Sequence, residues 1–388
     1  MTIVVTGGGS GGHITPLLAV AHELKKLHAD CKIVYIGQQG DSLSDIPAQD
    51  KSIDEVRLVR AGKLRRYHGE GLKQLLDFKT MAKNARDAVF VLIGLVQSFR
   101  LLREIRPDII FIKGGFVGVP VGLAAALLRI PYVTHDSDAL PGLANRIIAP
   151  WARKHTVALP REVYAYPANK TITVGVPLAH HYKPFSKKEV EAAREQLAVP
   201  VGGKMVLVTG GGLGAQRLNQ AVAACLPELL DRYADLTVVH IAGRANEADL
   251  RQRYKKALPL PAQRRIIVKG FITNMHLYSG AADIVITRAG ATSMAEFAAQ
   301  KKACIVVPNP LLTGGHQLKN AQVLADRKAI RLVSEDKLRL DDHALMPSLV
   351  ELLDNPALAA QLGARLGEFD TGDSAKRLAM VLLEEAAA

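Results

Sequence analysis

The chain has 388 residues, 48% hydrophobic and 22% charged, which is the composition of a folded protein long enough for two domains, each with its own core. Its net charge of +13 calls for an acidic partner. With aromatic residues at only 5% and no recognition motif, nucleic acid is not expected to be that partner. The three cysteines, Cys31, Cys225 and Cys304, form no CxxC pair and no disulfide framework, so a reducing compartment is expected.

The first element is a strand over residues 2–6, TIVVT, that begins at the second residue. No basic and apolar leader precedes it, so the expectation is a cytoplasmic protein. The strand runs into a glycine turn, and its pentapeptide VTGGG (5–9) returns at 208–212. Two related modules are implied, each opening on a strand followed by a glycine-rich turn. Gly7, Gly9 and Gly12 satisfy GxGxxG, and Gly210, Gly212 and Ala215 satisfy GxGxxA. Such turns let backbone N–H groups and a helix N-terminus approach phosphate oxygens. A dinucleotide site also needs an acidic residue ending the second strand. Here KIVYIG (32–37) runs into QQG, with Asp41 beyond, so no such cofactor is expected. Neither turn is followed by GK[ST], which excludes a P-loop. His13 closes the first turn. It either caps the helix or packs, or it serves as a neutral imidazole taking a proton from an attacking hydroxyl.

The next segment, residues 57–106, carries 12 Lys and Arg against 4 Asp and Glu, which is the whole excess of the first 180 residues. Its basic residues interleave with Leu, Phe, Val and Ile at helical spacing. Two readings stand: a solvated helix face over a core, or a basic, apolar-centred surface resting on anionic lipid. The apolar run from Ala88 to Val96 is far too short to span a bilayer.

Strands are expected at DIIFI (108–112) and YVTH (132–135). HDSDALPGLANR follows, and its DxD, Asp136 and Asp138, is either a turn-forming acidic pair or part of a metal site. Two carboxylates without further oxygen ligands are a poor site, so no metal is expected. Glycine and two prolines interrupt the pattern at VGVPLAHHYKP (174–184), the expected hinge. Five more strands follow, at 204–210, 236–243, 265–271, 283–288 and 303–308. Alternation of short β-branched runs with helical segments makes each half a doubly wound parallel α/β sheet. The densest polar stretch is RAGATSMAEF (288–297) with HQLKNA (316–321). Its small-residue turn opens a helix whose N–H groups and Ser293 suit a phosphate. Glu296 suits ribose or sugar hydroxyls, and Gln317 and Asn320 share the next helix start. The last segment, DSAKRLAMVLLEE, reads as a separate helix.

Taken in order, GGGSGGH (7–13), GKLRRY (62–67), KGGFVGVP (113–120), HDSDALPGLANR (135–146), GGGLGAQRLNQ (210–220), RAGATSMAEF and HQLKNA resemble MurG. This family of UDP-N-acetylglucosamine transferases converts lipid I to lipid II in bacterial peptidoglycan synthesis, and the resemblance covers essentially the whole chain. It implies the GT-B fold, two Rossmann-like domains facing across a cleft: 1–177 for the acceptor and membrane, and 178–370 for UDP-GlcNAc. A last helix, 371–388, is implied to cross back to the first domain. The implied reaction is a single inverting displacement that moves GlcNAc to the MurNAc 4-hydroxyl of lipid I, with no cofactor. It takes place peripherally at the cytoplasmic face of the inner membrane, against an anionic lipid surface. By motif, His13 is the candidate base and Asp136 has an acceptor-side role. Ser10, Gly11, Gly12, Asp138, Gly212, Ile272, Ala291, Thr292, Ser293, Met294, Ala295, Glu296 and Gln317 line the UDP-GlcNAc site, Ile272 through its backbone. Lys63, Arg65 and Arg66 belong to the membrane and acceptor surface. Asp136, Asp138, Gly212 and Ala179 depart from the pattern of many members.

Overall fold

In a computed structural model, residues 1–8, 11–41, 43–62, 78–211, 214–310 and 315–388 are described. The chain divides into two compact units, one built on Met1–Ala179 and Thr371–Ala388, the other on His180–Pro310 and Gln317–Asp370.

The first unit holds a sheet of β1 (Thr2–Thr6), β2 (Lys32–Gln38), β3 (Glu55–Val59), β4 (Ile109–Ile112), β5 (Tyr132–Asp136), β6 (Lys154–Val157) and β7 (Thr171–Thr173). Their order is β3-β2-β1-β4-β5-β6-β7, parallel throughout. The order reverses between β1 and β4, and the C-terminal ends of strands at such a switch point are where α/β sheets place ligands. The central strands are nearly continuous apolar runs because both faces are covered. Ile3, Val5, Ile33, Tyr35, Ile109 and Phe111 pack on the helices Gly11–Leu27 and Ser374–Ala387. Val4, Val34, Ile36, Ile110 and Ile112 face the helices Phe78–Ile105 and Gly118–Leu128.

The C-terminal helix is therefore part of the first unit's core, through Leu378, Ala379, Val381 and Leu382. Its entry is fixed at Gly175, whose φ of +83° suits glycine. A side chain there would strike Thr371 Oγ1 at 2.3 Å, and that hydroxyl donates to Val174 O at 2.6 Å.

The second unit repeats the plan with β8 (Lys204–Thr209), β9 (Leu236–Ile241), β10 (Ile266–Lys269), β11 (Ile284–Thr287), β12 (Ala303–Val306) and β13 (Arg331–Leu332), ordered β10-β9-β8-β11-β12-β13. Val206, Val208, Val238 and Ile284 face one helical layer, and Leu207, Val239, Val285 and Val306 the other. Both sheets are thus wound on the same plan, and the repeated VTGGG begins in the equivalent first strand of each. The strands β3, β6, β7 and β13 were not expected from the sequence. Glu55–Val59 is a short edge strand in which Glu55 and Arg57 interrupt the apolar residues, and the others span four, three and two residues, too few to establish an alternation.

Candidate functional site

In the first unit the loops after β1, β4 and β5 meet. The Tyr35 hydroxyl donates to Gly7 O at 2.6 Å and fixes the start of the first glycine turn. After β4, Gly114 and Gly115 have φ of +109° and +81°. A Cβ on Gly115 would lie 2.7 Å from Gly8 O, so only glycine lets the two turns touch. Asn145 and His13 both pack close to Gly114. A Cβ placed there would have Asn145 Oδ1 at 3.5 Å and His13 Cε1 at 3.7 Å.

Gly11 and Gly12 begin the helix that carries His13. The imidazole is partly open at its surface, but Nδ1 is buried and has no hydrogen-bond partner. Burial, with the positive charge of Lys113 as a second cause, lowers its pKa to about 3, so the ring is neutral. Asn145 is buried, donates from Nδ2 to His135 O at 3.0 Å, and leaves Oδ1 without a partner. His135, directly before Asp136, is also kept neutral by burial.

Asp136 ends β5 and is buried. Its Oδ1 accepts from Gly142 N at 3.0 Å and its Oδ2 from the Tyr166 hydroxyl at 2.9 Å. Burial raises its pKa against these donors. The carboxylate therefore ties the loop 137–142 to Tyr166, whose ring stacks on His155 at 4.0 Å. Asp138 is half-buried on that loop and lies near enough for its charge to act on Lys113. Among the described residues no cluster of three or more His, Cys, Asp or Glu forms a metal site.

The second unit presents its own constellation. In the helix Gln216–Arg232, Asn219 donates from Nδ2 to Ala242 O at 2.9 Å and meets His240 Nε2 at 3.0 Å through its Oδ1, which ties this helix to the end of β9. The turn after β11 leads into the helix Ala291–Ala299 through Gly290, which no neighbouring atom crowds. Ala291, Thr292, Ser293 and Ala295 are half-buried, and Met294 is buried in the core. The open helix start offers N–H groups without a side-chain cap, which is a favourable place for an anion. Arg288 holds this turn from beneath, donating from Nη1 to Val307 O at 3.0 Å and to Glu335 Oε2 at 2.7 Å. Asn320 donates to Ala289 O at 3.1 Å and joins the helix His316–Asp326 to the same turn. Gln317 accepts from Asn309 N at 2.9 Å through its side-chain oxygen. Ile272, after β10, is packed against the core. Glu296 has its pKa pushed up to about 7 by burial, with the Tyr182 phenol opposing the shift.

The structure thus brings His13, Gly11, Gly12 and Asp136 to one end of the first sheet. Residues 291–296 and Gln317 are tied to adjoining helix starts in the second unit. Ser10, Gly212, Lys63, Arg65 and Arg66, with Gly9, lie outside the described residues. Lys113, Asn145, Tyr166, Tyr182 and Glu335 were not singled out from the sequence. For Lys113 the signal was present: a lysine between the apolar run IIFI and two glycines. For Glu335 no local signal exists, because its partners lie 47 and 118 positions away.

Residues 3–157 match the glycosyltransferase family 28 N-terminal domain, and 205–378 match the family's C-terminal domain. The chain is 31% identical to a Citrifermentans bemidjiense protein over 93% of each chain. It is 29% identical to one from Natranaerobius thermophilus over 98% of this chain and 99% of that one. Both are named UDP-N-acetylglucosamine–N-acetylmuramyl-(pentapeptide) pyrophosphoryl-undecaprenol N-acetylglucosamine transferase. A crystal structure of Acinetobacter baumannii MurG shares the fold, with a TM-score of 0.73 over 99% of both chains at 21% identity. The glycine turns and the open helix start therefore have a family setting: the chain belongs to glycosyltransferase family 28 and, within it, to the family of these N-acetylglucosamine transferases.

Proposed function

We infer that this chain transfers N-acetylglucosamine from UDP-GlcNAc to the 4-hydroxyl of the N-acetylmuramyl group of lipid I, forming lipid II. The observation that carries the reading is the neutral imidazole of His13, with a buried and unpartnered Nδ1, beside Gly114 at the end of the first sheet. A deprotonated ring can take the proton of an attacking hydroxyl. As the acceptor oxygen bonds to the anomeric carbon, the bond from that carbon to the UDP oxygen breaks with inversion. The hydroxyl proton passes to His13 and UDP leaves as the anion. Ser10, Gly11 and Gly12 approach the donor's diphosphate and sugar. The helix start from Ala291 to Ala295, with Ser293, stabilises phosphate charge. Glu296 accepts from the ribose hydroxyls, Ile272 meets the uracil through its backbone, and Gln317 contacts the sugar, with Asp138 and Gly212 completing the donor's surroundings. Asp136 acts on the acceptor side by holding the loop 137–142.

The acceptor is presented at an anionic membrane surface, on its cytoplasmic side, by the segment around residues 57–106. Supporting this, Val89, Leu92 and Val96 on the helix Phe78–Ile105 are 52%, 63% and 52% exposed, on the same helix as Arg86, Arg100 and Arg103. Lys63, Arg65 and Arg66 extend the same basic segment. No helix among the described residues is long and apolar enough to cross a membrane.

The test is UDP release by the purified chain from UDP-GlcNAc, with and without a short-chain lipid I analogue, in EDTA. Acceptor-dependent release is expected, with His13→Ala lowering turnover at least 100-fold and UDP affinity little. Hydrolysis indifferent to the acceptor would overturn the reading.

A further inference from the structure

Lys113 is only 3% exposed, yet no hydrogen bond or ion pair to its side chain exists among the described residues. A buried ammonium without a partner is costly, and proteins relieve the cost by pairing it or by lowering its proton affinity. The nearby carboxylates do not pair with it. Asp136 has both oxygens engaged by Gly142 and Tyr166, and no salt bridge joins Lys113 to Asp136 or Asp138. Burial brings the Lys113 pKa down to about 8, against the pull of these two carboxylates, so the group is still largely charged at neutral pH.

The surroundings identify what is missing. Lys113 directly follows β4 and precedes Gly114 and Gly115, and its Cβ would lie 3.3 Å from a Cβ placed on Gly7. It therefore stands between the two glycine turns at the switch point of the first sheet. The N-terminus of the helix Gly11–Leu27, which carries His13, begins beside Gly114, and the unpartnered Oδ1 of Asn145, a residue only 2% exposed, would lie 3.5 Å from a Cβ on that same Gly114. Cation, helix N-terminus and open backbone turns suit a phosphoryl group, while the Asn145 oxygen suits a hydroxyl donor next to it.

We propose that Lys113 binds a phosphoryl oxygen of the acceptor's diphosphate and is the specific cation of the acceptor site in the first unit. The proposal rests on the acceptor-side reading given above. It differs from that reading in naming the charge that recognises the diphosphate. The ligand completes an ion pair that the protein leaves open, so acceptor affinity depends on this one ammonium.

The experiment uses the full chain with K113M, K113Q and K113R. Steady-state kinetics varies each substrate in turn, and inorganic pyrophosphate is titrated calorimetrically in the presence of saturating UDP, which fills the nucleotide site. The expected result is an acceptor KM raised at least 10-fold in K113M and K113Q and restored in part by K113R, with the UDP-GlcNAc KM within 2-fold of wild type. Pyrophosphate binding should weaken by a similar factor in K113M. An increase confined to the UDP-GlcNAc KM would assign the phosphoryl group to the donor and overturn the proposal. Unchanged substrate parameters and pyrophosphate binding would also overturn it, leaving Lys113 balanced by the two aspartates alone. If the wild-type chain releases no UDP with the acceptor, the transferase reading fails, and the pyrophosphate titration still decides for or against Lys113. Met and Gln are close to Lys in volume and carry no buried charge. Melting temperatures of both variants separate loss of fold from loss of binding.

Discussion

The Tyr166 hydroxyl donates to Asp136 Oδ2 at 2.9 Å, while the Tyr166 ring lies flat against His155 at 4.0 Å. One residue thus anchors the carboxylate that holds the loop 137–142 and closes over a buried histidine. Tyr166→Phe keeps the stack and deletes the donor. Asp136 then loses one of the bonds that oppose its burial, and its pKa, already raised, rises further. The acid limb of the pH–rate profile should move to higher pH, with turnover at neutral pH down several-fold. A hydrogen bond to a charged group contributes about 1.5–3 kcal/mol, and the loss of stability should fall at or below that range. Kinetics between pH 5 and 8 and urea unfolding check both parts. A variant with an unshifted profile would remove Asp136 from the working site.

Glu335 accepts from Arg288 at 2.7 Å and from Arg217 at 3.1 Å, and both Glu335 and Arg288 are buried. Glu335→Gln leaves the Arg288 guanidinium beneath the Ala291 helix start without its counter-charge. Removing one partner of a buried pair costs about 3–5 kcal/mol. The double replacement Arg288→Met with Glu335→Leu should cost clearly less than the sum of the single changes, because no charge is then stranded. Thermal unfolding of the three variants gives the coupling energy. UDP affinity should fall in each, since Arg288 also holds the turn through Val307 O.

Glu335 also shows where sequence reasoning stops. The strand runs TIVVT, DIIFI and DIVITR are legible because a strand buried on both faces must be apolar throughout, and the glycine turns are legible because the backbones there need the room. His13 and Ala291–Glu296 follow from those turns by position alone. What stays hidden is set by distant partners. Neither the commitment of both Asp136 oxygens to Gly142 and Tyr166 nor the lack of a hydrogen-bonded partner for the Lys113 side chain among the described residues has a local signature. The short strands at 154–157 and 171–173 bury His155, Thr156 and Thr171, which is made possible by bonds such as that between Thr134 Oγ1 and His155 Nδ1 at 2.8 Å.

Leu92 and Val96 stand one turn apart on the helix Phe78–Ile105 and are more than half exposed, so replacing them removes little packing. Leu92→Glu with Val96→Glu should leave the melting temperature within about 2 °C, since surface changes are usually within ±0.5 kcal/mol. It should lower binding to vesicles containing anionic lipid at least 10-fold, by removing apolar contact and adding two repelled charges. Lys63→Ala with Arg65→Ala and Arg66→Ala should weaken the same binding and reduce its salt dependence. Sedimentation with vesicles measures both, and binding unchanged in all variants would dismiss the membrane role.

Glu296 offers the most direct pH test of the second unit. Burial pushes its pKa up to about 7, whereas an exposed glutamate titrates near 4.3. Between those values the folded chain holds a proton that the unfolded chain has released. This group's contribution to stability is therefore largest below about pH 4.3 and is lost as the pH rises through about 7. Ligand binding should run the other way. Ribose hydroxyls donate best to the ionised carboxylate, and their bonds favour that form, so UDP affinity should increase from pH 6 to 8. Glu296→Gln keeps the shape and one acceptor oxygen but cannot ionise. It should bind UDP more weakly than wild type at pH 8 and show little pH dependence over this range. Calorimetry with UDP and with 2′,3′-dideoxy-UDP separates the causes. The wild-type advantage and its pH slope should both vanish with the ligand that lacks the hydroxyls, and a slope that persists there would assign the titration to another group.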